Sequence, residues 1–116
     1  MKLDQVRRFA MSLPAVTEEP HFKYSSFRVQ GKIFATMPPE GDHLHVFVSE
    51  EQREFALAVE SDFLEKLLWG GRVVGLRITL AHAKPRVVNQ LLTQAWTNKA
   101  PKNLIATAAA SHSKKP

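Results

Sequence analysis

The stretch that most limits what this chain can fold into is Tyr24 to Met37, YSSFRVQGKIFATM. Two short runs rich in aromatic and β-branched residues flank one glycine, the pattern of a β-hairpin. Gly31 is the turn residue because it tolerates positive φ. Two registers compete. A two-residue turn at Gly31-Lys32 pairs Val29 with Phe34 and points Phe27, Val29 and Phe34 to one face. A three-residue turn aligns Phe27 and Val29 with Ile33, Ala35 and Met37. The glycine position favours the first register and the apolar alternation favours the second. A slip of one residue swaps every side chain between faces, so the face of Arg28 stays open at this point. In either register the hairpin supplies both a core and a first candidate binding surface, with Arg28 and Lys32 among its apolar residues.

The rest of the chain is read around it. Leu3, Val6, Phe9, Ala10 and Leu13 recur at helical spacing, which predicts an amphipathic helix over 3–12 that Pro14 stops. PAVTEEPHF, residues 14–22, reads as a loop marked by two prolines. Pro38 to Asp42 is a tight turn by composition. HLHVFV, residues 43–48, alternates and predicts a strand. Ser49 and Gln52 match a capping box at the start of a helix to about Glu60, with Phe55, Ala56 and Val59 inward. Asp62 to Leu68 reads as short helical or irregular. After the Trp69–Arg72 turn, VVGLRITL at 73–80 predicts a buried strand, and Gly75 within it a bulge or close backbone approach. Pro85 suits the first turn of a final helix, along which Val87, Val88, Leu91, Leu92, Ala95 and Trp96 form one stripe.

At 116 residues and 44% hydrophobic the chain is one domain able to bury its own core. Residues 1–110 form that domain and 111–116, SHSKKP, a flexible basic tail. With no cysteine, disulfides, thiolate metal sites and a Cys nucleophile are excluded. MKLDQVRRFAMSLPAV has no apolar h-region, and no run is long and apolar enough to span a bilayer, so a cytoplasmic protein without membrane contact is expected. Charge is distributed unevenly. Residues 1–65 carry seven basic and all 11 acidic side chains, a net −4, while 66–116 carry nine basic and no acidic ones, +9. Such an asymmetry points to a polyanion or to a basic surface kept for solubility.

Several stretches taken together resemble the MmcQ/YjbR-like family of small bacterial proteins. They are Ser12-Leu13-Pro14-Ala15-Val16 with Thr17-Glu18-Glu19, then Ser26-Phe27-Arg28-Val29, Gly31-Lys32-Ile33-Phe34-Ala35, Trp69-Gly70, and Ala100-Pro101-Lys102-Asn103-Leu104. One departure is visible: family members often place Gly-Trp shortly after the Trp-Gly turn, where this chain has Val73-Val74. The resemblance covers about residues 1 to 105. It implies a frataxin-like (CyaY-like) α+β fold: an antiparallel sheet of about four to five strands, with N-terminal and C-terminal helices packed on one face. It also implies DNA binding, as family members are commonly described. An iron-binding ridge is not expected, because the first helix offers only Asp4 against Arg7 and Arg8.

The candidate anion or nucleic-acid contacts are Lys23, Arg28, Lys32, Arg72, Arg77, Lys99 and Lys102, since Lys and Arg neutralise phosphates and release counterions. Phe27, Phe34 and Trp69 are candidate stacking or pocket faces, against the plainer reading that they are core. His43 and His45 share a strand face, but no third ligand is identified, so no metal or cofactor is expected. Glu18 and Glu19 near His21 form a conceivable acid/base pair. No catalytic residue is assigned: Ser25, Ser26 and Ser49 lack a nucleophile context, and Gly70-Gly71 is too short for a phosphate loop. The function expected is non-enzymatic DNA binding through a basic surface, by a monomer. The alternative is a module for a small anionic ligand or a protein, with its site where the hairpin, Trp69 and the final helix converge.

Overall fold

A computed structural model describes residues 1–106. The order of elements is α1 (Leu3–Ser12), β1 (Val16–His21), β2 (Tyr24–Val29), β3 (Lys32–Met37), β4 (His43–Val46), α2 (Glu50–Val59), β5 (Leu64–Trp69), β6 (Arg72–Thr79) and α3 (Pro85–Lys99). A 3₁₀ turn at Leu80–His82 precedes α3, and a helical turn over 102–106 follows it. The basic tail expected at 111–116 lies outside the described residues.

The six strands form one antiparallel sheet in the order β1-β2-β3-β4-β6-β5. The first four run as a meander. A seam between β4 and β6, from His43 opposite Thr79 to Val46 opposite Leu76, joins it to the β5–β6 hairpin. The class is the α+β arrangement expected, with two strands more than the residues suggested, and both are edges. β1 occupies the segment that reads as a loop. Pro20 has no N–H to give a ladder and Glu18 and Glu19 are charged, features that an edge strand tolerates and that discourage further pairing. β5 occupies the segment that reads as irregular. Leu64, Leu67 and Leu68 are spaced as on a helix, and pairing with β6 overrides that spacing.

The central hairpin adopts neither expected register. Its turn has two residues, but they are Gln30 and Gly31, with φ of 48° and 81°, and Val29 faces Lys32. Positive φ at both positions matches the right-handed twist of the strands. A bulge then lets β3 step past β2: Phe27 is opposite Ala35, Arg28 is opposite Ile33, and Phe34 is the extra residue. Phe34, Ala35 and Met37 all reach the core while Ile33 turns away. The glycine and the alternation pointed to different registers because the bulge places the adjacent residues Phe34 and Ala35 both in the core.

The core lies between one sheet face and the helices. Phe27, Val29, Phe34, Leu44, Val46, Leu76 and Ile78 from the strands meet Val6 and Ala10 of α1 and Val88, Leu91, Leu92, Ala95 and Trp96 of α3. Trp96 Nε1 donates to the Pro14 carbonyl at 3.0 Å, tying α3 to the end of α1. At α2 the capping box forms as expected, with Gln52 N–H on Ser49 Oγ at 3.1 Å and Ser49 N–H on Gln52 Oε1 at 3.0 Å. Its inward face is narrower than expected. Ala56 is buried, but Phe55 and Val59 are exposed, because α2 packs chiefly against β5 and β6 at the sheet margin.

Candidate functional site

Residues opposite one another in an antiparallel sheet share a face. Taking the registers strand by strand, Glu19, Ser26, Thr36, His45, Arg77 and Glu65 stand in one row that crosses all six strands. The whole row is polar, and it lies on the face away from the core. Among the described residues no helix packs on that face: the buried residues of all three helices belong to the single core on the other side.

The middle of the row is nonetheless dry. Ser26, Thr36 and His45 are 0%, 1% and 4% exposed. Ser26 Oγ donates to the Glu19 carbonyl at 2.7 Å and accepts from Arg28 Nε at 3.0 Å. Thr36 Oγ1 lies 3.4 Å from His45 Nδ1, and the Tyr24 ring stands 5.9 Å from the imidazole. Burial pushes His45 down to about 4, helped by the Arg77 charge and then by His43. The imidazole is therefore neutral at pH 7, and the strand face that His43 and His45 share is buried at His45.

Two predicted arginines flank this centre. Arg28 also reaches the Pro20 carbonyl at 3.3 Å and has no carboxylate partner among the described residues. Arg77 approaches Glu65 at 3.4 Å through Nη1, while its buried Nε has no acceptor. Further along the same face, Arg72 is directly opposite Trp69. Trp69 is 44% exposed and meets Phe47 at 5.4 Å with the rings inclined by 61°. Phe47 directly follows β4 and Trp69 ends β5, so the two rings come from either side of β6. A Cβ on Gly75 would lie 2.2 Å from the Val46 carbonyl oxygen, so both the close approach and the bulge expected there are present.

The remaining candidates distribute by topology. β3 and β6 run in the same direction two strand spacings apart, roughly 10 Å. Lys32 and Arg72, which begin them, therefore sit at one end of the sheet. α3 ends near this end too, since Asn98 Nδ2 donates to Gln52 Oε1 at 2.8 Å just after β4; Lys99 and Lys102 follow. Lys23 is on the β1–β2 turn at the opposite end. The seven basic residues thus form a face set, an end set and one outlier, rather than one patch. Phe34 and Phe27 are fully buried in the core and offer no stacking face. Phe47 and Tyr24 were missed as aromatics of the open face; the period-two series His43, His45, Phe47 was the signal for the first.

Two cavities lie elsewhere, and neither is where the hairpin, Trp69 and the final helix converge. An open groove of about 600 Å³ sits beside the β1–β2 turn, walled by Arg7, Glu18 and Ser25 over Leu3 and Met37. Arg7 grips Glu18 with two bonds, at 2.7 and 3.1 Å, and Ser25 Oγ adds a third at 2.7 Å. The Arg7 hydrogen bond holds the Glu18 carboxyl below its ordinary range. Glu18 faces α1 whereas His21 belongs to the other face, so that pairing is not formed. The second cavity, about 240 Å³, lies between α2 and α3. Among the described residues no three potential metal ligands cluster.

A six-stranded antiparallel sheet backed by helices on one side has known counterparts, and a family model for YjbR matches residues 11–98. The chain belongs to the YjbR family. The crystal structure of Deinococcus radiodurans protein DR2400, a DUF419 domain, is similar to this YjbR chain in fold. The TM-score is 0.70 at 17% identity, over 82% of this chain and 75% of that one. No curated protein matches the sequence. No helix among the described residues is long and apolar enough to cross a membrane.

Proposed function

We propose that this YjbR protein is a non-enzymatic nucleic-acid-binding protein, with DNA as its ligand and phosphates as the groups it holds. The observation that carries the reading is a set of bare cations. Lys32, Arg72, Lys99 and Lys102 form no ion pair among the described residues, and three of the four stand on strands or a helix whose ends converge at one side of the sheet. Arg28, which also has no carboxylate partner among the described residues, extends that positive charge onto the open face, where Arg77 is shared with Glu65. Unpaired Lys and Arg keep their full attraction for phosphate, and releasing the counterions they displace makes such binding steeply salt-dependent.

The test is a titration of labelled single- and double-stranded DNA at about 50 and 200 mM salt. Affinity should fall steeply between the two. The double substitution Lys32→Ala with Arg72→Ala touches only exposed side chains. It should weaken binding on all sequences and flatten the log–log salt slope by about 1.4–1.8. Absence of binding to either DNA at the lower salt sinks the reading.

A further inference from the structure

We infer that the strand taken by this protein is unpaired, and that its bases stack on the open sheet face against the platform made by Phe47 and Trp69. The inference rests on the nucleic-acid reading above and narrows it to a substrate class.

Three observations lead there. The first is the platform. Trp69 and Phe47 meet with their rings steeply inclined, and 44% of Trp69 stays exposed. Leu67, two residues from Trp69 on the same side of β5, is buried yet stands apart from the main core. An apolar cluster thus stands on a face whose central row is polar. Every base has a π-face, so an exposed indole beside arginine is a sequence-tolerant seat for a base that is not stacked on its neighbours.

The second observation is where the charges lie. Arg72 is directly opposite Trp69, and Arg77 stands on the same strand and face. The acidic residues of the central row, Glu19 and Glu65, are on the two edge strands. The middle of the face is left to phosphate. Guanidinium groups both neutralise phosphate and stack on planar rings, which suits a strand laid flat across the sheet.

The third is what the face lacks. A duplex hides its base faces and shows only edges, in a major groove about 12 Å wide that admits a helix or a two-stranded ribbon. Here the three helices stand behind the sheet. An open sheet with aromatic residues is instead the geometry that takes splayed bases.

The experiment compares one labelled single-stranded DNA, its duplex and an RNA strand of the same sequence. Anisotropy at about 50 mM salt is read for the full chain and for the Trp69→Ala and Trp69→Phe variants. Trp69 is outside the core cluster, and thermal unfolding checks that both variants fold. The single strand should bind more tightly than the duplex. Trp69→Ala should weaken single-strand binding by roughly 5- to 150-fold and leave duplex binding within about twofold of the full chain. Trp69→Phe should restore most of the loss. A preference for the RNA strand supports the inference with RNA as its source. Duplex binding as tight as single-strand binding, or an unchanged single-strand affinity in Trp69→Ala, overturns the inference and leaves the nucleic-acid reading standing. Failure of all three nucleic acids to bind removes that reading itself.

Discussion

His45 shows how one residue can be legible in kind and not in setting. Its place on the same strand face as His43 follows from period two. Its burial does not, because that depends on Tyr24, Thr36 and Arg77 brought from three other strands. The burial has a measurable consequence. An imidazole held near 4 in the fold and at 6.5 when unfolded binds fewer protons folded than unfolded between those values. Its contribution is therefore complete above pH 6.5 and is lost as pH falls toward 4, at no more than about 1.4 kcal/mol per pH unit. Urea midpoints measured across that window should fall on acidification. The fall should be shallower in His45→Gln, and an identical slope in the variant would contradict the burial. Arg28 is a similar case. Its identity as a basic hairpin residue was plain, but its face depended on a bulge that no local signal announces.

At the scale of elements, the helices and central strands were readable because each carries its own period. The stripe predicted on α3 is buried at five of its six positions, with Val87 half-buried. β1 and β5 were not readable because an edge strand needs only one apolar side and one partner. Val16 is the one buried residue of β1. The rest of its pairing is backbone, which leaves no trace in side-chain pattern. Gly75 carried a local signal that did survive into three dimensions. Its missing side chain lets β4 approach β6 where the Val74–Gly75 bulge bends the strand. Gly75→Ala would push a methyl group against the Val46 carbonyl, with backbone on both sides of the contact. We expect a loss of roughly 3 kcal/mol, at the upper end of overpacking costs, seen as a lower chemical-denaturation midpoint. A change below about 0.5 kcal/mol, the range of an ordinary surface site, would mean that the strands separate easily there.

Across the whole molecule, the charge asymmetry of the sequence is partly undone by the fold. Lys84 and Arg77, from the half without acids, pair with Glu60 and Glu65 from the other half. Composition showed the excess but not which cations would stay bare, since that is settled by contacts between distant segments. The same long-range arrangement sets an order of events. The core face of the meander, with Phe27, Phe34, Leu44 and Val46, is covered chiefly by α3, the last long element of the chain. Some 50 residues separate Val46 from Lys99, and at about 5–20 residues per second a ribosome adds them in roughly 3–10 s. A fragment ending at Glu60 should accordingly sediment as aggregate, while one extended to Ala106 stays in the supernatant. During synthesis, the four strands made first, with only α1 against them, must wait with most of their apolar side bare for a cover that is translated last.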